Sequence, residues 1–361
     1  MEFYSSESGS GSDSGGARDS CSVKTLDVSY KQLENCELEE AVVEGGWRGG
    51  PLHNLVASHN RLTSLPESLA SAFNALRHLD LSNNRLASLP DFLVQCPLTA
   101  LVAVNNQIPN SGLPKTFAGW SSSLKMFNLA GNRLDRFPGQ LAELISLKHL
   151  YLGSNTIEEI PTTIDRIVGL RVLCLGGNRL SDIPESVGRL EDLEVLVLSD
   201  NLLESLPPTV ANLKRLRTLQ LHKNRLRTLP TEIITLSCLS ELSLRDNPLV
   251  VQFVSDMANE PGNLREISAR VVKIAGLAYS TADLPQSLVN YLNSAHHCVN
   301  PTCNGVYFNS RVEHIKFVDF CGKYRIPLLQ YLCSSKCVKE DHRPSSPQSR
   351  FDDMMRKVLL G

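Results

Sequence analysis

The chain has 361 residues, 42% of them apolar and 20% charged, which is a globular composition too long for one ordinary compact core. Its net charge of −2 argues against a nucleic-acid partner, since such a partner calls for a basic face. No apolar run is long enough to span a bilayer.

Residues 1–22 are dominated by Ser, Gly and Asp, with neither a basic start nor an apolar stretch. This segment does not read as a secretory leader. It cannot bury enough surface to offset its ordering entropy and is expected to be a disordered tail. Of ten cysteines, Cys21, Cys36, Cys96, Cys174 and Cys238 are scattered, whereas Cys298, Cys303, Cys321, Cys333 and Cys337 crowd the last quarter. Disulfides are not expected in a chain read as staying inside the cell. The scattered thiols are expected to act as small hydrophobes, and Cys321 also reads as buried.

Residues 23–252 repeat the pattern L-x-x-L-x-L-x-x-N-x-L. Its asparagine falls at Asn60, Asn84, Asn106, Asn132, Asn155, Asn178, Asn201, Asn224 and Asn247, every 22 to 26 residues and every 23 from Asn132 onward. Leu26, Val28 and Leu33 read as a degenerate first turn. A single turn cannot cover leucines such as Leu147, Leu150 and Leu152, but stacked turns bury them as a continuous column. The asparagine must point inward at the bend after the strand, where its amide can satisfy backbone groups of adjacent turns. The recurring prolines (Pro66, Pro90, Pro114, Pro138, Pro161, Pro184, Pro207 and Pro230) fix an extended path that opens the convex side. The predicted fold is therefore an α/β solenoid with short parallel strands on its concave face.

Side chains alternate across a strand, so the variable positions of each repeat face solvent on that sheet. They place Val102, Val104, Met126, Tyr151, Val172, Val195 and Val197 on one exposed surface, with His222 nearby. A contiguous apolar patch with a polar rim marks a protein contact, although β-branched residues also simply suit strands. No phosphate-binding loop, zinc-protease motif or nucleophile elbow occurs, so no catalytic residue and no catalytic cofactor is expected.

Residues 261–295 change character. Leu264, Ile267, Ser268, Val271 and Val272 have helical spacing behind Pro261 and Gly262, and Leu284 to Leu292 form a second amphipathic stretch opened by Pro285. Residues 296–340 carry the close pairs Cys298/Cys303 and Cys333/Cys337, which could supply four thiolates to a structural zinc ion. His296, His297 and Cys321 are possible substitutes, and a metal-free group of buried thiols is the plain alternative. Residues 341–361 begin as a Pro/Ser linker and end in Phe351, Met354, Met355, Val358 and Leu359, which could form a brief amphipathic helix.

The repeat resembles the short intracellular type of leucine-rich repeat. The run Lys316–Cys333, the turn at Cys298 and the ending Lys357–Gly361 resemble one family of intracellular, non-enzymatic leucine-rich-repeat proteins. The two stretches after the repeats resemble the elongin-and-cullin box of ubiquitin-ligase substrate receptors. That resemblance implies that Leu264 enters a pocket of elongin C, with Ser268 and Val272 beside it. It also implies that Leu284, Pro285, Leu288, Tyr291 and Leu292 select the cullin. Asn263 stands where Ser, Thr or Pro is usual, and Ser268 replaces the commoner Cys. The doubled Leu-Pro of the cullin-5 type is incomplete, which leaves cullin-2 and cullin-5 both open. A second match, Leu329–Cys337, has no cullin half. The resemblance implies a cytoplasmic, non-catalytic substrate receptor that holds a target protein on its concave face. The alternatives are an intracellular signalling scaffold using the same face without a ligase, with a plain helix capping the last repeat, or a redox- or metal-responsive regulator using the terminal cysteines.

Overall fold

The computed structural model describes residues 25–44, 51–249, 262–300, 303–320, 324–337 and 359–360. The expected N-terminal tail, the end of the solenoid at 252, Pro261, Cys21, Cys321 and most of the last segment lie outside the described residues.

The repeats build one parallel sheet of very short strands. These are β1 (Thr25–Asp27), β2 (Asn54–Val56), β3 (His78–Asp80), β4 (Ala100–Val102), β5 (Met126–Asn128), β6 (His149–Tyr151), β7 (Val172–Cys174), β8 (Val195–Val197), β9 (Thr218–Gln220) and β11 (Glu241–Ser243). In each of these strands from β2 onward the central residue is fully buried. Together these residues form the leucine column, which runs as one core from Val28 to Leu244. On the opposite side the chain returns through 3-10 turns. Seven of the eight recurring prolines immediately precede such a turn; Pro114 does not. The long interval between Asn106 and Asn132 holds two 3-10 turns, Asn110–Gly112 and Ala118–Trp120. Its extra space is filled by Phe117, Trp120 and Phe127, whose rings pack at 5.4–5.9 Å, and the Trp120 indole donates to the Leu93 carbonyl at 2.8 Å.

The asparagines hold the turns in register. At Asn155, Nδ2 donates to the carbonyls of Leu129 (3.1 Å) and Leu152 (3.0 Å), while Oδ1 accepts from Leu134 N–H at 3.0 Å. Asn178, Asn201 and Asn224 repeat this pattern one turn later each. Each amide thus bonds its own turn and the one before it. The preceding residue takes a left-handed conformation in every repeat: Ser154 has φ 54°, Asp200 55° and Lys223 55°. That conformation costs an L-residue about 1 kcal/mol. Gly131 and Gly177 adopt it freely, and a Cβ on Gly131 would lie 2.2 Å from Asn105 Oδ1.

Both ends are capped by structure the repeat pattern does not announce. At the start, α1 (Asn35–Glu44) buries Leu38 and Val42 on the first turns, and Asn60 Oδ1 accepts from Leu33 N–H at 3.0 Å. After the repeats come α2 (Leu264–Ile274) and α3 (Gln286–Asn293), as the spacing predicts. The cysteine-rich segment adds strands to these helices: a small pair, β12 (His296–His297) with β13 (Val306–Tyr307), and a hairpin of two nine-residue strands, β14 (Val312–Phe320) with β15 (Tyr324–Leu332). The hairpin pairs with β10 (Leu229–Pro230) of the last convex turn, and Ile326 and Leu328 join the solenoid core. The aromatic and aliphatic run from Lys316 is therefore the C-terminal lid of the solenoid. Leu359 was expected in a helix; instead Leu359–Leu360 form an extended strand, β16, beside β11.

Asn155→Ala should orphan the buried Leu134 N–H and take one of two amide donors from each of the Leu129 and Leu152 carbonyls, which keep Asn132 and Asn178. The expected loss is about 3 kcal/mol, read as a lower urea midpoint. The exposed Glu158→Ala should change stability by no more than about 0.5 kcal/mol.

Candidate functional site

The concave sheet presents two outward rows fixed by strand register. One runs Ala100, Met126, His149, Val172, Val195, Thr218 and Glu241; the other runs Val102, Asn128, Tyr151, Cys174, Val197 and Gln220. The apolar residues are brought together as predicted, though not as one unbroken strip. Tyr151, Cys174 and Val197 are consecutive in one row, and Val172 and Val195 are adjacent in the other, while Asn128 separates Val102 from Tyr151. Val104 and His222 follow their strands at the lip, where His222 Nδ1 lies 3.2 Å from Ser243 Oγ. All eight predicted residues are half-buried, so each offers side-chain surface outward. With strands about 4.8 Å apart, the patch from Met126 to Val195 spans about 14 Å.

His149 sits inside this patch, between Met126 and Val172. Burial and the neighbouring Arg171 guanidinium hold its pKa below the ordinary histidine value, against the opposing pull of Glu194. The ring is therefore neutral at pH 7 and adds no charge to the patch. Burial pushes the Cys174 thiol up to about 11 and Tyr151 above its usual value. Cys174 is thus a protonated apolar contact and not a nucleophile.

The second surface is the outer face of α2. Asn263 caps the helix, accepting from Glu266 N–H at 2.8 Å. This departure from the box pattern is physically conservative, because Asn caps as well as Ser or Thr. Leu264 is 80% exposed, Ile267 52%, Val271 60% and Ile274 57%. Their spacing puts them on one face, with Ser268 exposed at its edge. Val272 departs from expectation. Each four-residue step advances about 40° around a helix, so Val272 turns away from Leu264 and packs with Ala269 on the module's own core. Leu284, Tyr291 and Leu292 also pack on that core, and Tyr291 stacks on Phe308 at 4.6 Å. Of the expected cullin-selecting residues, Pro285 is exposed and Leu288 is half-buried. The alternative match from Leu329 is excluded as a docking helix, because Leu329 lies on β15 and pairs with Pro230.

The inner face of α2 carries an anchor that was missed in the sequence. Glu266 is 1% exposed and its Oε1 accepts from Arg270 Nη2 at 2.6 Å and from Phe308 N–H at 3.2 Å; Oε2 accepts from Ser310 N–H at 2.9 Å. Arg270 also donates to the Ser310 carbonyl and, at 2.8 Å, to the Cys333 carbonyl. Burial pushes the Glu266 carboxyl up, but the Ser310 and Phe308 amides and the Arg270 guanidinium outweigh it and hold the pKa below the usual value. An i, i+4 Glu–Arg pair ordinarily reads as a solvated surface bridge, which is why the sequence hid it.

The third feature is the cysteine cluster. The Sγ atoms of Cys298, Cys303, Cys333 and Cys337 all lie within 4.8 Å of one another. His296 and His297 are exposed on β12 and stand outside the cluster.

Residues 162–337 match the family model described as a leucine-rich repeat region, and residues 52–94 match that for two copies of the leucine-rich repeat. The chain is 56% identical over 344 residues to leucine-rich repeat-containing protein 58 of Xenopus laevis, covering 93% of this chain and 97% of that one. It is 61% identical over 313 residues to the Homo sapiens protein of the same name, covering 86% and 84%. A chain of the solved octameric complex of Latrophilin 3, Unc5D and FLRT2 superposes with a TM-score of 0.50 at 24% identity, covering 64% of this chain and 77% of that one, a likeness of fold alone.

Glu266→Gln should loosen α2 by about 3 kcal/mol by leaving Arg270 without its counter-charge. In the wild type, the contribution of a lowered carboxyl pKa is present above the ordinary carboxylate value. It is lost as pH falls below that value through the folded-state pKa. Acid titration followed by α2 amide exchange should show this loosening in the wild type and a flat profile in Glu266→Gln.

Proposed function

Given that the chain belongs to the leucine-rich repeat-containing protein 58 family, we propose that it is a substrate-recognition subunit of an elongin B/C–cullin-RING ubiquitin ligase. Leucine-rich repeats are a protein-binding architecture, and the concave patch around Tyr151, Val172 and Val197 is the surface suited to a protein target. Helix α2 is the docking element for elongin C.

The observation that carries this reading is the outward stripe of Leu264, Ile267, Val271 and Ile274 on a helix tied down from behind. A helix that merely sealed the last repeat would turn its apolar face onto that repeat. Here the sealing is done by Ile326 and Leu328 of the hairpin, and α2 keeps its aliphatic face outside. Leu264 is the residue for the elongin C pocket, and the small Ser268 permits close approach beside it. Pro285 and Leu288 are the surface left for a choice between cullin-2 and cullin-5. Ubiquitin transfer belongs to the partners. Such partners imply a cytoplasmic chain, in a compartment where thiols stay reduced.

Two variants of the full chain separate the faces. Leu264→Asp should lower recovery of elongins B and C from cells at least about 30-fold, the equivalent of about 2 kcal/mol for one buried leucine. Val197→Arg should leave that recovery unchanged and abolish target capture. Equal recovery by wild type and Leu264→Asp, or recovery by neither, would remove the ligase and leave a scaffold acting through the concave face.

A further inference from the structure

We propose that Cys298, Cys303, Cys333 and Cys337 bind one structural zinc ion, which clasps the β12–β13 turn and the end of β15 to helix α2.

The geometry is that of a single-ion site. Cys303, Cys333 and Cys337 form a triangle of sulfurs with all three edges at 3.5 Å, and Cys298 completes a group contained within 4.8 Å. Zinc–thiolate bonds of about 2.3 Å set tetrahedral sulfur–sulfur edges of about 3.8 Å. A disulfide holds its sulfurs at about 2.05 Å, well inside these separations.

The backbone around the sulfurs is shaped for the same purpose. Cys298 N–H donates to the Gly305 carbonyl at 2.9 Å and Cys303 N–H to the Asn300 carbonyl at 2.9 Å, folding the first pair into a knuckle. Gly305 N–H donates to Cys303 Sγ at 3.2 Å, the contact that stabilises a metal-bound thiolate. A Cβ at Gly305 would stand 2.6 Å from Cys333 Sγ and 3.0 Å from Cys303 Sγ, so only glycine lets the chain pass the sulfurs. The second pair brackets one turn: Cys333 directly follows β15 and Cys337 closes the turn Ser335–Cys337, with Cys337 N–H donating to the Ser334 carbonyl at 3.1 Å. Asn300 Nδ2 donates to the Cys337 carbonyl at 2.8 Å and ties the two halves together.

Four sulfur ligands close the coordination shell, leaving no position for water or substrate, so the ion is structural. On binding, each thiol releases its proton to solvent and its sulfur pair enters the coordination bond. Among the described residues, the apolar core beside the sulfurs holds, beyond Cys298, only Val312 and Leu332 as buried residues. A core of that size does not sustain a fold without a staple. The clasp reaches α2 through the Arg270–Cys333 carbonyl bond. The ion therefore sets the position of the helix whatever that helix binds.

The test is metal analysis of the full chain purified without chelator. The expected result is one zinc per chain. After exchange into cobalt, a thiolate-to-cobalt charge-transfer band with tetrahedral d–d bands should appear. Cys333→Ser and Cys303→Ser should each lose the metal and raise α2 amide exchange at least about 10-fold, with the solenoid strands still protected. Cys238→Ser, at an exposed thiol remote from the cluster, should keep it. Less than about 0.1 zinc per folded chain with freely titratable thiols would overturn the proposal. So would an intact mass showing disulfides among these four residues, or iron in place of zinc. The cobalt spectrum is read on the wild type, so the proposal stays testable even where a cysteine variant unfolds.

Discussion

The molecule rests on a buried amide repeated along its length. Each ladder asparagine gives its two N–H groups to carbonyls of its own turn and the preceding one, and receives a backbone N–H in return. Leucine burial supplies most of the free energy but is non-directional, and a column of leucines alone could slip in register. The amides fix that register because a misplaced turn would strand polar groups in an apolar interior. They also hold the left-handed bend at residues such as Ser154, Asp200 and Lys223. Everything displayed on the concave face, including the alignment of Tyr151 with Cys174 and Val197, follows from this spacing.

The repeats were legible because each residue type answers a local demand that recurs every 23 residues from Asn132 onward. The outward rows could be read from alternation alone. Helices α2 and α3 were legible from their spacing and from Pro285. The caps were not, since α1 and the β14–β15 hairpin each occur once and no period reveals them. The hairpin carries Pro327 within a strand, a residue that argues against strand from sequence. Only its packing on the last convex turn explains why Ile326 and Leu328 are apolar.

At the candidate site, the sequence pointed to the right helix but misjudged which way some of its residues turn. A box written as Leu264, Ser268 and Val272 treats three positions as equivalent, whereas the helix rotates the third toward its own core. The anchor behind the stripe was hidden because Glu266 and Arg270 make their decisive contacts with Phe308, Ser310 and Cys333, about forty to sixty residues away. The result is a division of labour on one helix: aliphatic residues outside, and a buried ion pair that fixes their presentation inside.

The central physical claim is that stacking buries one set of strand side chains and leaves the alternate set outside. Single cysteines at Leu196 and Val197, neighbours on β8, test it most directly when maleimide labelling of the native full chain is followed by peptide mapping. Leu196 is 1% exposed and Val197 faces the concave groove. Leu196→Cys should therefore label only on global unfolding, and Val197→Cys within about tenfold of an unfolded peptide, the contrast that local protection imposes. Equal labelling at the two positions, or the reverse order, would contradict the account.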